Sequence, residues 1–311
     1  MYNKMAFVIK QIKNDMINFN SQEYIKIKNN LKQQLNLQDE YIGKVKIATM
    51  TFEGKFNTKF HPLNIYNYIN KHENGIVSII KISDKKYRRT QKFIHTIDNK
   101  QLDDTKYTHN DMFLNQVTVN INVSNKKNPV SIKIFSNGSV HFTGCVTIDN
   151  LLEAVYKLCI EFRQTKYIIE NKTIKQILFA DNPDILQLEN IFDVKADMVN
   201  CIFLVPFKID RIKLQTLLWE EGYNATYDSN SHAAVNIKFY DTETKSNVKN
   251  GKITMLIFEQ GSIIIILGKQ GFKRINEMYH FIYKYLLENY ARIVKNDNIA
   301  WDVINKYIPV I

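Results

Sequence analysis

The sequence predicts an α+β fold built twice over: two pseudo-symmetric repeats of antiparallel sheet, each with a long helix on one face. Two observations carry this. A strand-turn-strand unit occurs twice, VSIKIFSNGSVHFTGC at 130–145 and ITMLIFEQGSIIIILG at 253–268. Each copy has an apolar strand ending in Ile-Phe, two polar residues, a Gly, a second apolar strand and a closing Gly. One offset separates Gly138 from Gly261 and Phe135 from Phe258, and a long amphipathic helical pattern follows each unit, at 147–164 and 271–293. Repetition at this scale points to two copies of one unit in one chain.

A chain of 311 residues with 45% hydrophobic content can build a sizeable core. The excess of 42 Lys+Arg over 31 Asp+Glu gives a formal charge of +11 and favours a polyanionic partner, nucleic acid or an anionic membrane surface. The N-terminal stretch does not read as a secretory signal, and the longest apolar run, 263–267, is far too short to span a bilayer. A soluble, intracellular protein without a membrane partner is expected. Cys145, Cys159 and Cys201 are widely spaced with no CxxC, which indicates buried small hydrophobes and no zinc site or disulfide framework. The richness in Asn, Ile, Lys and Tyr is that of an AT-rich genome.

Taken in order, residues 1–42 are lysine-rich with helical spacing at Ile25, Leu31 and Leu35, and read as a helical extension. The first repeat occupies 43–165. VKIATMTFEGKF is a strand, 60–71 a short helix opened by Pro62, and 75–83 another strand. A charged insertion at about 84–112 carries KKYRR at 85–89 with Asp103 and Asp104. QVTVNINV at 116–123 alternates strictly, with Val117, Val119, Ile121 and Val123 on one face and Gln116, Thr118, Asn120 and Asn122 on a polar open face. After the first hairpin, Thr147 caps a helix with a core side and a wet side. The connector 166–192 has a helical tendency and a break at Asn182-Pro183. The second repeat, 193–294, runs through a strand in ADMVNCIFLVPF, a helix in KLQTLLWEEG, a strand at 233–239, the second hairpin and the last long helix. A tail at 295–311 packs back on the body.

Consecutive antiparallel strands with one long helix per half leave one face of the sheet open. Here the resemblance becomes specific. The hairpins IFSNGSVHFTG and LIFEQGSIIIILG, in this element order, resemble the TATA-box-binding protein family over roughly 43–164 and 193–293, as a divergent member of the kind carried by large DNA viruses. The resemblance implies a curved antiparallel β-saddle with helices on its convex face. Its concave sheet would sit on an AT-rich minor groove of double-stranded DNA, bend it, and present it to an RNA polymerase or a B-type initiation factor. It implies a monomer at a nuclear or cytoplasmic site of transcription. Phe135 and Phe258 correspond to one wedge in each half, and Thr143 to a Thr that contacts base edges. Lys238 stands where the family has a phosphate-binding arginine, with Asn122 at that place in the first half. The second wedges fall near Gln116 and His232, neither a good apolar wedge. In the second hairpin the counterpart of Thr143 is Ile266 or Leu267. Val45, and Asp197 or Asn200, compete for the family's first-strand asparagines, and 75–82 competes with 116–123 for its second strand.

The candidate DNA-facing set is therefore Phe135, Phe258, Thr143, Lys133, His141, Thr118, Asn120, Asn122, Asn236 and Lys238. Repetition inside matched hairpins argues for exposed phenylalanines over ordinary core residues. Asn and Thr suit groove contacts, although a polar stripe is also what any solvated sheet face looks like. KKYRR reads as a solvated loop before it reads as a phosphate clamp. His95, His109, His141 and His232 lack metal-ligand spacing. No Walker loop, dinucleotide fingerprint, HExxH or GxSxG occurs, so catalytic, cofactor and metal sites are not expected. Two other classes stay open: a scaffold in a transcription complex that has lost DNA bending, and a substrate-gripping module of a nucleic-acid enzyme.

Overall fold

Alternating runs become strands and 3.6-periodic runs become helices. The computed structural model describes residues 8–9, 18–38, 41–69, 75–82, 89–93, 115–170, 173–230, 232–239, 253–268 and 271–295. In chain order these hold β1 (Val8–Ile9), α1 (Gln22–Leu35), β2 (Lys46–Lys55), α2 (Pro62–Tyr68), β3 (Ile76–Ile82), β4 (Arg89–Phe93), β5 (Gln116–Ile121), β6 (Val130–Phe135) and β7 (Ser139–Cys145). They continue with α3 (Ile148–Arg163), β8 (Lys166–Glu170), β9 (Thr173–Ile177), β10 (Phe192–Leu204), α4 (Arg211–Glu220), β11 (Ala225–Thr226) and β12 (Ala234–Phe239). The last are β13 (Ile253–Phe258), β14 (Ser262–Leu267), α5 (Ile275–Glu288) and α6 (Tyr290–Ile293). The fold is α+β. It divides into two compact units, residues 1–31 with 51–195, and 32–50 with 196–311.

In the first unit the strands lie in the order β7-β6-β5-β3-β4, every pair antiparallel. Both 76–82 and 116–121 are strands, and only the latter pairs with the hairpin. A separate small sheet has the order β1-β8-β9. In the second unit the order is β11-β12-β13-β14-β10, again antiparallel. Within each unit the hairpin's even alternation sends one row into the core: Ile132, Ile134, Val140 and Phe142 in one, Met255, Ile257, Ile263 and Ile265 in the other, all fully buried. The helices α3 and α5 pack on these rows.

Two expectations give way. Among its described residues the connector folds as the hairpin β8–β9 followed by two short 3-10 turns, 183–185 and 188–190, with no α-helix. Strand pairing, which no apolar period announces, leaves Ile169 and Ile174 exposed and Ile168 and Ile177 buried, and Lys166 is buried beside the latter two. That lysine donates to the Tyr68 carbonyl, approaches Glu161 at 3.9 Å and lies over the Phe179 ring. Nor does α3 keep a wet side. The 3-10 turns pack against it, and Tyr24 and Lys28 of α1 bind Asp149 at 2.6 and 2.8 Å, so both Glu153 and Glu161 are buried. Glu153 is satisfied by the Ser124 backbone N–H, the Ser124 hydroxyl and Lys157. Its first turn is closed as expected: the Thr147 hydroxyl accepts from Asn150 N, and Asn150 Oδ1 accepts from Thr147 N. The last helix breaks at Asn289 into α5 and α6, and the tail beyond 295 lies outside the described residues.

The hairpin turns are held by their glycines. Gly138 has φ +92°, and a Cβ there would lie 2.5 Å from the Thr58 carbonyl oxygen; Gly261 has φ +80°, and its Cβ would lie 2.5 Å from that of Val205. Left-handed backbone and backbone clash act together, so Gly138→Ala and Gly261→Ala are each expected to cost about 2–4 kcal/mol in chemical denaturation. Gly222→Ala is the control. Gly222 has φ +83° with nothing within 4 Å of a Cβ, and only the conformational part, about 1 kcal/mol, should be lost there.

Candidate nucleic-acid interface

The turn glycines fix where the phenylalanines stand. In the first unit Phe56 N donates to Gly138 O at 3.0 Å, Phe60 N to Ser136 O at 3.2 Å, and Gly138 N to Phe135 O at 3.1 Å. The second unit repeats the pattern: Val205 N to Gly261 O at 2.9 Å, Ile209 N to Glu259 O at 2.8 Å, and Gly261 N to Phe258 O at 3.0 Å. Each hairpin tip is thus clamped to the segment leading into α2 or α4. Each Phe is the last residue of its strand, part-exposed on the side away from the core.

Register sets the neighbours. In the first unit Lys133 stands between His141 and Thr118, Ser131 between Thr143 and Asn120, and Phe135 opposite Gln116. The Phe135 and His141 rings are 5.2 Å apart. In the second unit Leu256 stands between Ile264 and Asn236, Thr254 between Ile266 and Lys238, and Phe258 opposite Ala234. Beyond β14, Ile202 faces Ile264 and Asn200 faces Ile266. Phe135, Lys133, His141, Thr143 and Asn120 thus share one face; Phe258, Asn236 and Lys238 share another.

The open polar face expected for β5 is only partly open. Gln116 is 1% and Thr118 6% exposed, with Gln116 Nε2 donating to the Thr118 hydroxyl at 3.1 Å, so in this structure Thr118 is a buried residue. Asn120 is part-exposed but donates to the buried Ser78 hydroxyl at 2.7 Å. The position matching Lys238 is Asn120, not Asn122: Asn120 faces Ser131 as Lys238 faces Thr254, and Asn122 lies past the last β5–β6 pair. Likewise the residue matching Gln116 is Ala234, two positions beyond His232. Alternation alone leaves such two-residue slips undetermined, because they keep every side chain on its own face. Ile266 is the counterpart of Thr143, so the extra residue of the second hairpin falls after it. Of the first-strand candidates Val45 is buried, and Asn200 lies on the open side of β10. His95, His109 and all of KKYRR but the backbone of Arg89 lie outside the described residues.

Three features went unread in the sequence. Ile202, Leu256 and Ile264 are part-exposed beside Ile266, and Leu204 is 70% exposed, so the open face of the second unit carries an apolar strip. The unbroken run SIIIIL was the signal, since a strand apolar at both parities has two apolar faces. Asn200 Oδ1 and Asn236 Oδ1, bordering this patch, are buried without a hydrogen-bond partner. Finally, Arg211 ties Tyr227 and Ala233 to the hairpin tip. It donates to Ala233 O at 2.7 Å, pairs with Glu259 at 2.7 Å, and lies 4.9 Å from the Tyr227 ring. Glu259 is also held by Lys295 at 2.9 Å; that hydrogen bond, and then the nearby positive charges, keep its carboxyl below the usual range.

The cysteines are free and buried, and burial pushes the thiols of Cys145 and Cys201 up to about 12, with Cys159 raised as well. Among the described residues no group of three His, Cys, Asp or Glu is placed to hold a metal, and no helix is long and apolar enough to cross a membrane.

Two outcomes follow from this geometry. A thiol reagent at pH 8 should leave all three cysteines unmodified until denaturant is added. Because the folded thiols hold their protons more tightly, their contribution to stability is complete below about pH 9 and is lost as pH rises towards 12. Arg211→Ala should speed amide exchange at His232, whose N–H donates to Asp228 O, about tenfold or more while exchange in β13 and β14 is unchanged.

No family model matches the chain. A protein named TATA-box-binding protein-like, from Acanthamoeba polyphaga mimivirus, is 30% identical over 264 residues. The match covers 80% of this chain and 66% of the relative, so the chain spans just under two thirds of that protein's length. Among solved structures, the Methanococcus jannaschii TBP aligns over 77% of this chain and 98% of its own, at 13% identity and a TM-score of 0.43. On its kinship with the mimivirus protein, the chain is a divergent member of the TATA-box-binding protein family.

Proposed function

We propose that the chain is a non-enzymatic DNA-binding factor in transcription initiation, which lays its open sheet faces on the minor groove of A·T-rich double-stranded DNA and bends it. The observation that supports this best is the matched placement of Phe135 and Phe258, each part-exposed at the end of its strand beside a clamped turn glycine. Rigidly held aromatic wedges suit the partial unstacking of base steps, which costs a few kcal/mol and is offset by contacts that bent DNA permits. The formal charge of +11 would draw the protein to the phosphate backbone, and Lys133 and Lys238 stand at the faces themselves. The bent complex would then be read by an RNA polymerase or a B-type initiation factor, with the protein acting as a monomer inside the cell.

A second reading, a scaffold that has lost sequence-specific bending, is favoured by the burial of Gln116 and Thr118, which narrows the open face of the first unit. The two readings separate in one titration. Duplexes of A·T-rich and G·C-rich sequence, carrying an end-to-end bend reporter, are titrated across a salt series with wild type and the Phe135→Ala/Phe258→Ala double variant. We expect A·T preference, affinity falling steeply with salt, and bending that the double variant loses. Binding with neither preference nor bending would leave the scaffold.

A further inference from the structure

The two open faces differ in chemistry at positions that match pair for pair. In the second unit Ile264 stands between Ile202 and Leu256, and Ile266 follows on the same side of β14, so four aliphatic side chains form one strip. Thr254 and Ser262 put hydroxyls at its ends. The oxygens of Asn200 and Asn236 at its borders are buried and closed to a ligand lying on the face. In the first unit Lys133 occupies the place of Leu256, His141 that of Ile264, and Thr143 that of Ile266. Glu53 adds a carboxylate on the side of β2 away from the buried Phe52.

Every base pair offers acceptors in the minor groove, and guanine alone adds a donor there, its amino group. Against the aliphatic strip that group would lose its water and gain no partner, which is strongly unfavourable. The hydroxyl of Thr143 and the ring of His141 are able to accept it. Resting on the DNA-binding reading above, we infer that base pairs lying on the second unit must lack a minor-groove amino group, whereas those on the first unit need not. Leu256, Ile264 and Ile266 set the demand for A·T; His141 and Thr143 relax it. The preferred site is therefore lopsided, A·T in one half and mixed in the other.

The test replaces one adenine at a time by 2,6-diaminopurine across an A·T-rich duplex, which adds only the amino group in the minor groove. Affinity should fall about tenfold at positions in one half and less than about threefold in the other. The variant His141→Ile/Thr143→Ile, changed only at solvent-facing sites, should carry the tenfold penalty into the tolerant half. Ile264→His/Ile266→Thr should remove it from the strict half. Equal penalties in both halves, or a profile that neither variant moves, would overturn the inference and leave DNA binding standing. Failure to bind the unsubstituted duplex would overturn both.

Discussion

Each hairpin depends on the close approach of its turn glycine to the chain that enters the following short helix. Only a residue without Cβ fits there, with positive φ and carbonyl oxygens within contact distance, and the backbone hydrogen bonds from Phe56 and Val205 close the turn. From that clamp the rest of each face follows. The backbone of the Phe before the turn is fixed by the turn's hydrogen bonds, and strand alternation puts its part-exposed side chain on the side away from the core. The strand pairs then carry the register outward to Lys133 and Thr143 in one unit and to Leu256 and Ile266 in the other.

The same backbone plan carries unlike chemistry. The second unit keeps a spare aliphatic surface on its sheet and leaves the outer side of α5 open at Glu277, His280 and Lys284. In the first unit the sheet face is polar, and α3 is enclosed by the chain's own α1 and 3-10 turns. Burying Glu153 and Glu161 calls for compensation: Ser124 and Lys157 satisfy Glu153, and the Lys166 ammonium lies 3.9 Å from Glu161 as its charge partner. A partner approaching the helical side of each unit therefore meets different surfaces on the two.

Much of this was legible in the sequence. Period-2 alternation, the Gly-closed turns and the amphipathic helices located both hairpins, α3, α4 and β12 to within a few residues. Other features lay beyond local pattern. Whether Thr118 is open depends on what covers β5, and alternation reports only that it is opposite Val117 and Val119. Assigning Asn122 instead of Asn120 to the place of Lys238 was a slip of two, invisible to a period of two. The 166–192 connector reads as helical in tendency with a break at Asn182-Pro183; the pairing of β8 with β9 leaves no regular apolar period, since Ile169 and Ile174 are exposed while Ile168 and Ile177 are buried. Arg211, whose partners are a backbone carbonyl, a ring and a carboxylate from distant segments, left no local trace.

The most direct test of the wedge role is the fluorescence of 2-aminopurine placed at successive steps of an A·T-rich duplex bound to the protein, since the probe brightens when its stack opens. Two bright positions are expected, one lost in Phe135→Ala and the other in Phe258→Ala, with the duplex still bound. Uniform quenching along a bound duplex would contradict it.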